Sequence, residues 1–164
     1  GYSAAASVAR FCLANVLMLL LIAATALGMS DITSAADRPV IEVFKTAVCQ
    51  CCRPWVRQLE AAGFEVKVTD FEVFADVEAI KRQHGIPKPL SSCHTALVEG
   101  YVIEGHVSVD EIRRLLTERP KVIGLAVPDM PKGAPGMESD HPERYDVLAL
   151  NADGTTWVFA THEP

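Results

Sequence analysis

The sequence predicts an α/β fold in the order β-α-β-α-β-β-α, a core followed by a C-terminal loop and β-hairpin extension. Two observations carry that prediction. Twice, a short β-rich run is followed by apolar residues at helical spacing, first from Pro39 to Ala62 and again from Phe64 to His84. Two more short β-rich runs then flank Glu99-Gly100, which is hairpin chemistry, and a further helical stretch ends before Pro120.

Each element has a local reason. Pro39-Val40-Ile41-Glu42-Val43-Phe44 reads as a strand entering a polar loop that carries three cysteines. Pro54 suits the first turn of the helix that follows, where a missing N–H costs nothing. Trp55, Val56, Leu59 and Ala62 recur on one face of it, and Gly63 ends it. Phe64 to Thr69 alternates as a strand, and Val73 to His84 is helical, with Val77 and Ile80 inward. Ile86 to Ser92 is a loop with two prolines. Thr95–Val98 and Tyr101–Ile103 are the hairpin strands. Ser108 and Glu111 form a capping box for the last core helix, whose apolar face is Ile112, Leu115 and Leu116. Two parallel strands, a hairpin and a closing helix are the order of the thioredoxin fold, so residues 37–120 are read as its core.

Residues 121–164 differ in character. Val127 to Pro142 holds four prolines, two glycines, Met130 and Met137, and is read as a loop. Tyr145–Leu150 and Thr155–Ala160 flank Asn151-Ala152-Asp153-Gly154 as a second hairpin. A lone hairpin is too small to fold by itself, so this extension is expected to pack on the core.

The chain has 164 residues, enough for one domain, with 15 Lys+Arg against 21 Asp+Glu and a net charge of −6. That acidity argues against a nucleic-acid partner. The hydrophobic fraction of 49% is unevenly spread, because Phe11 to Leu27 is almost wholly apolar. Arg10 before this run and Ser34-Ala35-Ala36 after it complete the pattern of an export signal over residues 1–36. Retention as an inner-membrane anchor is the alternative, and would be the chain's one link to a membrane. The run is short for a span and includes Asn15 and Thr25. Cys12 is read as one more apolar residue of this leader. The protein is therefore expected in the periplasm, or otherwise exported.

Four cysteines lie beyond the leader: Cys49, Cys51, Cys52 and Cys93. An oxidising compartment favours disulfides, but three of these fall within four positions, and adjacent Cys51 and Cys52 can hardly be bridged without strain. The pattern reads as a cluster of thiols. Cys49-Gln50-Cys51-Cys52 sits between the first strand and the first helix, where the positive end of a helix favours thiolate over thiol. In thioredoxin-like folds the residue before the third core strand faces this loop, and alignment of Thr95–Gly105 puts His94 there with Cys93 beside it. Thiolate, imidazole and thioether together suit Cu(I), and three thiolates with one imidazole also suit Zn(II). The metal ligands expected are Cys49, Cys51, Cys52, Cys93 and His94, with Met130 and Met137 as soft additions from the loop. His106, at a strand end after Gly105, is read as a polar surface residue, and His141 and His162 as exposed.

These segments resemble a bacterial family known as domain of unknown function 411. The resemblance rests on Cys49-Gln50-Cys51-Cys52 with Trp55-Val56, on Ser92-Cys93-His94-Thr95-Ala96 and on Gly100 to His106. It extends through Gly124 to Pro128 and Pro135-Gly136-Met137. It implies an exported, thioredoxin-like protein linked to copper or other heavy-metal handling. The family often has Gly where this chain has Gln50 and Arg53, changes that stiffen the loop and leave the thiols intact.

The function expected is a non-enzymatic, periplasmic binder that sequesters Cu(I) or passes it to another exported copper-handling protein. Two rivals stand beside it. One is a thiol-disulfide oxidoreductase with Cys49 attacking and Cys52 resolving. The other is a structural zinc domain whose function lies on another surface. The leader makes a separate prediction: cell fractionation should find the protein outside the cytosol. Finding it in the cytosol with residues 1–36 still attached would contradict that expectation.

Overall fold

The computed structural model describes residues 38–164, so the leader and the reading of residues 1–36 lie outside the described residues. Residues Arg38–Pro164 form one compact unit. Its elements are β1 (Val40–Thr46), α1 (Cys52–Ala61), β2 (Glu65–Phe71), α2 (Phe74–Gln83), β3 (Thr95–Val98), β4 (Tyr101–Glu104), α3 (Val109–Glu118), β5 (Gly124–Ala126), β6 (Tyr145–Leu150) and β7 (Thr156–His162). A 3-10 turn at Lys88–Leu90 precedes β3. Among these residues no helix is long and apolar enough to cross a membrane.

All seven strands share one sheet in the order β2-β1-β3-β4-β5-β6-β7. β1 and β2 are parallel, β1-β3 and β3-β4 antiparallel, which is the predicted thioredoxin-like core. The extension continues the sheet edge to edge and contributes Val147, Ala149 and Phe159 to the main core cluster. It joins through β5, which sequence reading passed over. Val122 to Val127 is a continuous apolar run bounded by Pro120 and Pro128, the signature of a strand buried on both faces. It pairs parallel to β4 with Val102 opposite Gly124. The glycine is required there, because a Cβ would run into the Val102 carbonyl.

Alternation along the strands divides the core in two. On one face Trp55, Val56 and Leu59 of α1 and Ile112 and Leu115 of α3 pack on Ile41, Val43, Ala96, Ile103, Leu125, Val147 and Ala149. On the other, Ile86 and Leu90 pack on Val102, Ala126 and Leu150 beside α2. The Ser108–Glu111 capping box is formed reciprocally at the start of α3. In α2 the inward residues are Val77, as expected, and Lys81; Ile80 is only partly buried. A charged residue thus holds a core position.

Candidate metal centre

The walls of the centre come from three stretches of chain. The first is the loop from β1 into α1. Cys51 occupies the N-cap of α1, makes no side-chain capping bond, and no acidic residue lies in the first turn. The positive end of the helix is therefore left to the sulfurs. Cys49 and Cys52 are joined by a disulfide, with Cα atoms 5.6 Å apart. This corrects the expectation of four free thiols: the two cysteines at C-x-x-C spacing are oxidised, and among the described residues Cys51 and Cys93 remain free. The S–S bond takes up two of the sulfurs expected to ligate metal, so this is one oxidation state of the site.

The second wall is Ser92-Cys93-His94, leading into β3. Cys93 Sγ lies 3.6 Å from both Cys51 Sγ and Cys52 Sγ, and Cys49 Sγ is 3.6 Å from Cys51 Sγ. The four sulfurs all lie within 4.8 Å of one another. Burial, reinforced by the neighbouring Cys51 sulfur, pushes the Cys93 thiol up to about 12, with Ser92 and Lys81 opposing. At neutral pH the metal-free Cys93 is therefore a protonated thiol.

His106 is fully buried, which overturns its reading as a surface residue. Its Nε2 is 3.1 Å from Cys93 Sγ and its Nδ1 is 2.8 Å from the Pro135 carbonyl. A carbonyl only accepts, so Nδ1 carries the proton and Nε2 turns a bare lone pair toward the thiols. His94 differs. It is fully buried against Trp55, with ring centroids 4.3 Å apart, and its Nδ1 is 3.3 Å from Cys93 Sγ. Its Nε2 has no partner among the described residues. A stranded N–H is costlier than a bare acceptor, so the proton belongs on Nδ1, donated to the Cys93 sulfur. As a ligand, His106 is ready and His94 must first change tautomer. Sequence reading missed His106 because the Pro135 loop that buries it lies 29 residues away.

The third wall is the extension. Met130 Sδ is 3.9 Å from Cys51 Sγ and its side chain is half exposed, at the mouth of the cluster. The Met137 backbone closes a turn of the loop: its N–H donates to the Ala134 carbonyl and its carbonyl accepts from Gly133 N–H, both at 2.7 Å. Ser92 Oγ donates to the Asp129 carbonyl at 2.5 Å. Gly136, at φ +83°, sits against the α1 N-terminus, where a Cβ would lie 2.8 Å from the Cys51 carbonyl oxygen and 3.0 Å from Trp55 N. His141 is exposed, and His162 is partly buried beside Glu111, with Nε2 3.0 Å from its carboxylate, far from the thiols in the fold.

A cysteine cluster at the head of α1, faced by cysteine and histidine from the opposite wall of a thioredoxin-like sheet, defines a thioredoxin-like protein whose pocket could hold a soft metal ion. The comparisons agree. Residues 90–137 match the family described as a protein of unknown function, DUF411. Two solved structures, both named copper resistance protein CopG, are similar over their whole length. Form 2 is 40% identical over 77% of this chain with a TM-score of 0.71, and form 1 is 39% identical over 78% with a TM-score of 0.72. The chain belongs to this DUF411 family. No curated protein matches it.

The buried imidazoles make a prediction about the metal-free protein. Burial lowers both, His94 furthest, where the nearby His106 and Lys81 add to it. Below about pH 6.5 the unfolded chain gains protons that these folded imidazoles refuse, so they cost stability as pH falls. Each should contribute up to about 1.4 kcal/mol per pH unit. Glu104, whose carboxyl burial pushes up, acts in the opposite sense. Urea unfolding at pH 7.5 and 5.5 should show a smaller loss in His94→Leu than in the unmodified protein. An equal loss would mean that His94 titrates normally.

Proposed function

We propose that the protein binds Cu(I) as cargo in the reduced pocket, outside the cytosol, and sequesters it or hands it to another exported copper-handling protein. The observation that carries this reading is the convergence of four cysteine sulfurs with a preoriented histidine lone pair at His106. Soft sulfur donors and imidazole favour Cu(I), and the half-exposed Met130 thioether adds a soft donor where an ion would arrive. Cys49, Cys51, Cys52, Cys93 and His106 are the ligands this reading assigns, with Met130 at the mouth and His94 available after a tautomer change.

Loading involves two changes in the chain's own groups. The Cys49–Cys52 disulfide must take up two electrons and two protons to become a dithiol, so redox state sets how many sulfurs are available. Each thiol that ligates must also lose its proton. For Cys93 the nearest acceptor is His106 Nε2, 3.1 Å away.

The disulfide also favours a second reading. Joined as they are, Cys49 and Cys52 are the oxidised form of the dithiol that a thiol-disulfide oxidoreductase cycles, with Cys49 attacking and Cys52 resolving when reduced. A thiol-disulfide oxidoreductase would use Cys49 and Cys52 and would not need Cys93.

Cys93→Ser separates the two. The metal reading expects Cu(I) affinity to fall by a factor on the order of 10 to 100 or more, measured by anaerobic competition with a chromogenic chelator. A dithiol oxidoreductase would keep most of its exchange rate and lose nothing that depends on metal. Met130→Leu distinguishes copper from zinc: Cu(I) binding should weaken while Zn(II) binding stays almost unchanged. Equal effects would assign Met130 to packing.

A further inference from the structure

Two charged side chains occupy positions where the fold calls for apolar ones. Lys81 on α2 is 2% exposed and Glu104 on β4 is fully buried. Glu104 alternates with Ile103, so it faces α2 on the side of the sheet away from Trp55. Taking such a pair out of water is seldom repaid in stability, and apolar residues of similar volume usually fold as well. The contacts give the pair another role.

Lys81 Nζ donates to Glu104 Oε1 at 2.5 Å and to the His94 carbonyl at 3.0 Å. The same Oε1 accepts from Ser92 N–H at 2.6 Å. The residue before Cys93 and the residue after it are thus each held by one member of the pair. The other oxygen of Glu104 is buried with no partner among the described residues, so the carboxyl is committed through Oε1 alone. His94 O also accepts from Gly105 N–H at 3.1 Å, which ties this loop to the turn carrying His106.

We propose that the Lys81–Glu104 pair is a positioning device for the metal pocket: it clamps the backbone on both sides of Cys93 and so sets where that sulfur stands. The inference rests on the reading of the pocket as a metal site. Cys93 is the one thiol supplied by the wall opposite α1, and it touches Cys51, Cys52 and His106 at once. Ligand shells tolerate displacements of only about 0.5 Å, so a loop freed from its clamp lowers affinity without unfolding the protein. Neither residue ligates the metal. Both act through the peptide groups of Ser92 and His94.

The test uses the reduced full chain with Cu(I), and Cd(II) as a spectroscopic probe whose thiolate absorption counts bound sulfurs. Lys81→Met/Glu104→Leu removes both charges together and leaves no unpaired ion behind. It should keep its circular dichroism and melting temperature, bind Cu(I) at least about tenfold more weakly, and lose about one sulfur's share of the Cd(II) absorption. A folded double variant with undiminished affinity and absorption would overturn the proposal. Should the double variant not fold, Glu104→Asp is read instead. It keeps the charge pair but draws the carboxylate back from Ser92 N–H, so it should lose affinity by about tenfold, and full affinity would again overturn the clamp. The unmodified protein separates the two levels. If it binds neither ion, the metal reading falls and the clamp with it; if it binds and the variants bind equally, only the clamp falls.

Discussion

Trp55 stands where the three walls of the thiol pocket meet. Its side chain is 1% exposed, its indole N–H donates to the Val107 carbonyl at 2.7 Å, and its ring lies on His94. The backbone N–H and Cβ of the same residue are the surface against which Gly136 of the extension closes. One aromatic on the first turns of α1 therefore fixes the helix to the turn after β4, to the loop before β3 and to the extension. Aromatic burial of this size is a large share of a small core. Here it also determines which sulfurs and imidazoles face one another.

That arrangement gives the pocket two kinds of chemistry from one set of atoms. With Cys49 and Cys52 joined, the soft donors left are Cys51, Cys93, His106 and Met130. With them reduced, two more sulfurs enter the same space. On the proposed metal reading, metal occupancy and thiol oxidation would compete for Cys49 and Cys52, each state protecting against the other. The high pKa of Cys93 belongs to the same balance. A buried thiol that stays protonated without metal is a poor nucleophile, and becomes a strong ligand once a cation displaces its proton.

Much of this could be read from the sequence, and the reasons for the remainder are physical. The β-α-β-α-β-β-α order, the capping box at Ser108 and the meeting of Cys93 with the Cys49–Cys52 loop follow from local periodicity and from the topology it implies. Three features depend on contacts distant in the chain. His106 looked exposed because the groups that surround it, Cys93, His94 and the Pro135 carbonyl that settles its tautomer, are all distant in the chain. Lys81 and Glu104 were not singled out, since neither reveals its partner until α2 is laid over β4. The third feature is the strand Gly124–Ala126, too short for periodicity to separate from a loop, although its flanking prolines and unbroken apolar character were a usable signal.

The central claim is that the reduced pocket holds Cu(I) through sulfurs from both walls together with one imidazole. X-ray absorption at the copper edge, on protein reduced and loaded without oxygen, tests it most directly. The account predicts Cu(I) with a first shell dominated by sulfur, plus the outer-shell scattering of a single imidazole that disappears in His106→Ala and persists in His94→Leu. A first shell made of nitrogen and oxygen alone, or imidazole scattering unchanged by the loss of His106, would contradict it.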